Sequence, residues 1–162
     1  MSSTRVRVTR RISAEPTSTA LLLAGPTALE LWPGVRRVGE VGGRALVEAE
    51  LPVSQAEFER SPTAAAVTAR PPHRTPTAFV TRFDWTGPGL PVTRGVLTLS
   101  YAPVMQALRE VPRPARSTTV AELVLDADGL QQSRMDEQAL IGMAEGFLGN
   151  LARAAERRRS AA

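Results

Sequence analysis

Apolar and polar residues alternate with a period of two along much of this chain. From Arg5 to Ile12 the alternation sets Val6, Val8 and Ile12 on one face, as in a half-buried strand. It recurs over Val35–Val41, Arg44–Leu51, Ala64–Arg70, Thr75–Thr86, Val92–Tyr101 and Ser117–Asp126, giving seven predicted strands. Gly42-Gly43 between the second and third is a two-residue hairpin signal. Thr86-Gly87-Pro88-Gly89-Leu90-Pro91 and Asp126-Ala127-Asp128-Gly129 read as turns. The period then changes. Leu140, Met143, Ala144, Phe147, Leu148, Leu151 and Ala155 fall on one helical stripe, which predicts an amphipathic helix from about Met135 to Arg158.

Shorter helices are expected between the first two strands. One covers Thr17–Ala24, with Ser13 as its cap and Pro16 in its first turn, and stops at Gly25-Pro26. The next, Thr27–Leu31, ends before Trp32-Pro33-Gly34. Ser54-Gln55-Ala56-Glu57 has capping-box spacing and predicts a helical turn or two within Pro52–Pro62. Another short helix is expected over Pro103–Val111, stopped by Pro112-Arg113-Pro114. Gly142, Gly146 and Gly149 share a face of the last helix. Each costs up to about 1 kcal/mol relative to alanine, so either close packing against the sheet or room for a ligand must offset them.

The aromatic residues give this α+β layout its chemical interest. Of seven, Phe79, Phe83 and Trp85 occupy one face of one predicted strand, and Tyr101 falls on the apolar phase of the next. Arg82, Asp84 and Arg94 take the opposite, solvated phase. A bent antiparallel sheet with an aromatic inner face and a helix across it makes the wall and lid of a small-molecule cavity. Trp85, Phe83, Tyr101 and Phe147 are expected to touch that cavity, with Trp32, Phe79 and Met143 completing the ligand-binding set. Aromatics on an inward face are also ordinary core, and in a fold with an open interior the two roles share one surface. Tyr101 is the candidate catalytic residue, because a buried phenol needs a polar partner and can donate to a ligand oxygen.

Composition narrows the field. A chain of 162 residues with 43% apolar content suits one globular domain, with 155–162 expected as a frayed basic tail. It has no cysteine and one histidine, His73, in a proline-rich loop. Thiolate chemistry and multi-histidine metal sites are excluded, and no glycine-rich phosphate loop follows a strand, so no metal, nucleotide or flavin cofactor is expected. The longest apolar run, Ala20–Ala24, is too short for a membrane span or signal core, and a cytoplasmic location follows as the expectation. All 20 basic residues are arginine and the net charge is +4. They are scattered apart from Arg157-Arg158-Arg159, so nucleic acid is not the expected partner.

Strand, two short helices, six strands and a long closing helix form an order that resembles the helix-grip fold of the START-like SRPBCC superfamily, in its polyketide cyclase/dehydrase branch. The aromatic–proline step Leu31-Trp32-Pro33-Gly34-Val35 follows the helix pair as it does there. Ser117-Thr118-Thr119-Val120-Ala121-Glu122-Leu123 looks like the family's last strand, and Phe147-Leu148-Gly149-Asn150-Leu151-Ala152-Arg153-Ala154-Ala155-Glu156 like its last helix. Pro52–Pro62 and Pro103–Pro114 depart from the compact pattern. The resemblance implies a deep cavity between sheet and C-terminal helix for an apolar or polycyclic ligand. Three functions fit: a carrier or sequestering protein for a polyketide- or lipid-like natural product, a cyclase/aromatase-type enzyme using general acid–base chemistry, and a ligand-free interaction module. Fold does not choose among them.

Overall fold

The computed structural model describes residues 3–25, 28–50, 63–87, 90–102, 118–130 and 135–161. Its elements are β1 (Ser3–Ile12), α1 (Pro16–Ala24), a 3₁₀ turn (Ala28–Leu31), β2 (Val35–Val41), β3 (Arg44–Ala49), β4 (Thr63–Ala69), β5 (His73–Arg74), β6 (Ala78–Thr86), β7 (Val92–Tyr101), β8 (Thr119–Asp128) and α2 (Glu137–Ala161). The helical turns expected within Pro52–Pro62 and over Pro103–Val111 lie outside the described residues.

All strands pair antiparallel in one sheet, ordered β1-β8-β7-β6-β4-β3-β2, with β5 beside β6. The sheet therefore has eight strands where the alternation predicts seven. The difference arises at Pro71-Pro72. Arg70 N–H still reaches Arg82 O, at 3.0 Å, but the prolines carry no N–H to continue the ladder. Pairing resumes with His73 opposite Val80 and Arg74 opposite Phe79. Both β5 residues are exposed.

Residues two apart share a face throughout. In β8, Thr119, Ala121, Leu123, Leu125 and Ala127 are all buried. In β6, Thr81, Phe83 and Trp85 point inward while Arg82 and Asp84 are exposed. The stretch Asp126–Asp128, expected as turn, stays in strand because both neighbours hold it. Asp128 faces Ser3 of β1 on one side and Val92 of β7 on the other. Gly42 and Gly43 have φ of 59° and 75°, the pair of positive values that a type I′ hairpin requires.

The first helix starts differently from expectation. Its N-cap is Glu15, without a side-chain capping bond. Ser13 instead bonds α2 through its backbone: its N–H donates to Glu156 Oε1 at 3.2 Å, and its carbonyl accepts from Arg159 Nη1 at 2.8 Å. Those two bonds tie the arginine-rich last turns of α2, which runs to Ala161, to the link between β1 and α1.

Helix α2 begins under an Asp136 cap, whose Oδ1 accepts from Ala139 N–H at 2.7 Å. Its stripe from Leu140 through Met143, Phe147, Leu148 and Leu151 to Ala155 is buried. Two contacts dock the chain after the 3₁₀ turn onto it. Asn150 Nδ2 donates to Leu31 O at 2.8 Å, and Gly146 lies under the Pro33 ring, where an added Cβ would sit 2.3 Å from Pro33 Cγ. The three helix glycines thus have no shared cause. Gly146 makes room for Pro33, Gly149 is buried near Arg10, and an added Cβ at Gly142 meets nothing within 4 Å.

These environments predict opposite signs for one substitution. Gly142→Ala should raise stability by up to about 1 kcal/mol, since only helix propensity changes. Gly146→Ala should lower it, because overpacking against a proline ring costs about 1–3 kcal/mol and outweighs the same propensity gain. Urea denaturation of the two variants beside the parent checks this; equal shifts would contradict the close packing at Pro33.

Candidate functional site

The aromatic residues of β6 come together with Trp32 and Phe147 in a single cluster. Trp32 is its hub. Its ring lies 4.4 Å from Phe147 at an interplanar angle of 31°, 5.4 Å from Trp85 at 78°, and 5.8 Å from Phe83 at 90°. Phe83 and Phe147 close the group at 5.9 Å and 72°. These spacings are those of favourable edge-to-face and offset ring pairs. All four side chains are at most 5% exposed. Where the sequence predicts a cavity, the rings largely fill the space themselves.

Among the described residues a narrow apolar cavity of about 20 Å³ opens at the Trp85 end, bordered by Trp32, Trp85, Leu90, Leu125, Leu140 and Met143. That is room for roughly one water. Thr93, also on its wall, spends its hydroxyl on Pro91 O at 3.1 Å. Among the described lining residues none carries a titratable side chain.

Two polar atoms stand out in this apolar setting. Nε1 of Trp32 and Nε1 of Trp85 are both buried with no hydrogen-bond acceptor among the described residues. A buried N–H left unpaired costs about 1–3 kcal/mol. The edge-to-face contact between the two indoles offers at most a weak aromatic acceptor. The cluster therefore holds two donors and no conventional acceptor.

The remaining site candidates separate. Met143 lies on the wall of this cavity. Phe79, though on the same face as Phe83 and Trp85, is half-buried beside a different cleft of about 50 Å³, with Leu99, Pro16 and Arg74. Tyr101 borders that cleft too and is 58% exposed. Strand pairing sets Tyr101 and Trp85 toward opposite ends of the β6–β7 ladder. Because β6 and β7 are antiparallel, Trp85 faces Thr93, while Tyr101 lies at the opposite end, beyond the Phe79–Leu99 pair. Tyr101 is eight positions along the strand from Thr93, about 26 Å at the usual rise.

Sequence reasoning misses Leu90, Thr93, Leu125 and Leu140 as cavity wall. The inward phase of β7 and β8 is legible in the chain; which end of that phase the helix covers is not. Among the described residues no three metal-ligating side chains gather as a metal site would need, and no helix is long and apolar enough to cross a membrane.

No family model matches the chain, and no curated protein matches it in sequence. Its fold, however, has clear relatives among solved structures. The Zhui aromatase/cyclase from Streptomyces sp. R1128 aligns with a TM-score of 0.60 at 15% identity, over 97% of this chain and 96% of that one. This is the helix-grip fold. A protein of Thermus thermophilus aligns at 0.59 and 15% identity, over 96% of this chain and 99% of its own. Norcoclaurine synthase from Thalictrum flavum aligns at 0.58 and 8% identity, over 94% and 86%. In this helix-grip protein the sheet and α2 occupy the expected places, and the Trp32 cluster fills much of the space between them.

The separation of the two aromatic regions makes a direct forecast. Phe147→Ala should cost about 3–5 kcal/mol of stability, as for a buried aromatic truncated in a packed core. Tyr101→Phe should change stability by no more than about 0.5 kcal/mol, as at an exposed position. Chemical denaturation of both variants measures the contrast, and a large loss from Tyr101→Phe would place the phenol in the core.

Proposed function

We propose that this protein binds an apolar or aromatic small molecule carrying an oxygen acceptor, between the sheet and α2, as a carrier or sequestering protein. The observation that carries this reading is the pair of unpaired indole N–H groups of Trp32 and Trp85 beside an apolar cavity. A ligand carbonyl or phenolic oxygen would satisfy a donor that the protein leaves unmatched. The likeness to an aromatase/cyclase and to norcoclaurine synthase supports the same class of ligand, of polyketide-like or lipid-like character. Accommodation requires side chains to move, since about 20 Å³ holds no polycyclic molecule. Met143 and Leu90 on the wall are the adaptable elements, methionine above all for its unbranched, polarizable chain.

Binding without chemistry is favoured over the cyclase alternative because the described cavity wall offers no acid or base, and Tyr101 borders the other cleft. An enzyme using Tyr101 would have to work at that cleft.

Both tryptophans of the chain belong to the cluster, so selectively excited tryptophan fluorescence reports on this site. Titration with a hydroxyanthraquinone should give a saturable change, confirmed by calorimetry. Anthracene, lacking the acceptor, should bind about 5–10-fold more weakly, the equivalent of about 1 kcal/mol for one hydrogen bond. Trp85→Phe, which keeps a ring and removes an N–H, should narrow that preference. The quinone recovered after long incubation should be chemically unchanged. Absence of saturable binding would reject the carrier reading, and a new product would favour the enzyme.

A further inference from the structure

A second, roomier cavity lies away from the aromatic cluster, beside the end of α1 and the 3₁₀ element. It measures about 190 Å³, room for on the order of a dozen waters. Leu23, Leu29, Ala45 and Val67 form its apolar base, and Arg37, Glu40 and Arg70 its charged border.

The charges reach this face through a defect in the sheet. In the β2–β3 ladder Arg37 faces Val47, but Gly39 faces Leu46 and Glu40 faces Ala45, so Val38 is an extra residue. Such a bulge re-aims the side chains that follow it. In a regular strand Arg37 and Glu40, three apart, would point to opposite faces. With the bulge both lie on the side of Val47 and Ala45, and Arg37 Nη2 donates to Glu40 Oε2 at 2.8 Å. Val38 is turned out, 52% exposed. Exposing a valine and turning two charges toward an apolar wall has no packing advantage.

The guanidinium is far from saturated. It has five N–H donors, and one is bonded to Glu40. Arg70, across the same cavity, makes no side-chain hydrogen bond or ion pair among the described residues. Two cations thus face one carboxylate over an apolar base. We propose that this cavity is a binding site for a small apolar carboxylic acid. Its hydrocarbon part lies on Leu29, Ala45 and Val67, and its carboxylate takes the fork of Arg37 with support from Arg70. Glu40 is the internal carboxylate that the ligand displaces. The site is separate from the Trp32 cluster and does not depend on the function proposed for it.

Octanoate and its neutral isostere octanamide provide the test on the full chain, by calorimetry and by amide and indole NMR. Octanoate should bind saturably and perturb the amides of Gly39, Glu40 and Ala45, with the indole N–H signals of Trp32 and Trp85 unmoved. Octanamide should bind about tenfold more weakly, as expected for losing a charged hydrogen bond. Arg37→Gln should reduce octanoate affinity to the level of the amide, and Glu40→Gln should increase it by removing the competitor. Equal binding of acid and amide overturns the proposal, as does no saturable octanoate binding or a response at the indoles instead of β2 and β3. Affinity unchanged in Arg37→Gln, or not raised in Glu40→Gln, also overturns it. If Arg37→Gln fails to fold, the acid–amide comparison on the parent protein still decides.

Discussion

The docking of Trp32 onto α2 is the contact on which the interior depends. The indole sits between two anchors on its own backbone. On one side Leu31 O accepts a hydrogen bond from Asn150; on the other Pro33 lies against Gly146. Asn150 and Gly146 are four apart and so lie on one face of α2, which fixes both the height and the rotation of the Trp32 ring. Phe83, Trp85 and Phe147 then pack around a ring whose position is already set. A helix that slid by one turn would lose the hydrogen bond, and in one direction would also drive Pro33 into Asn150. The register of helix against sheet is therefore specified by a polar bond and a missing Cβ, while apolar area supplies the bulk of the driving force.

That arrangement changes what an inner aromatic face means. In a sheet-and-helix fold, rings can line a void or fill it, and here they fill it, leaving a small cavity beside two indole donors. The burial of those N–H groups without acceptors is a standing cost that better core residues would avoid. Phenylalanine at either position would keep the rings and lose the unpaired donor. Their presence is what separates this interior from an ordinary packed core.

Much of the fold can be read from the chain because period is a local property. Alternation locates every long strand to within a few residues, and the stripe from Leu140 to Ala155 locates α2. What depends on pairing is harder. The aromatic stripe of β6 has the phase that alternation gives it, yet Phe79 and Trp85 serve different clefts because they sit at opposite ends of a strand that α2 does not cover uniformly. Phase alone groups Tyr101 with Trp85, although a turn between consecutive antiparallel strands already requires the far end of β7 to lie beside the start of β6. Gly39 inside a predicted strand is the available sign of a bulge, and with it of the Arg37–Glu40 pair. The break at Pro71-Pro72 is likewise written in residues that cannot donate.

The pairing of β1 with β8 has a consequence for how the molecule is made. Arg5 and Asp126, which join at 2.7 Å across these strands, are 121 positions apart. Among the described strands β1 pairs with β8, the last to be synthesised, and contacts of such long range slow folding. Until then β1 waits as an open strand with unsatisfied backbone groups, the kind of edge that recruits other chains. Arg5, Arg7, Arg10 and Arg11 are all exposed on it. Four like charges along one short ribbon repel a second copy of the same ribbon.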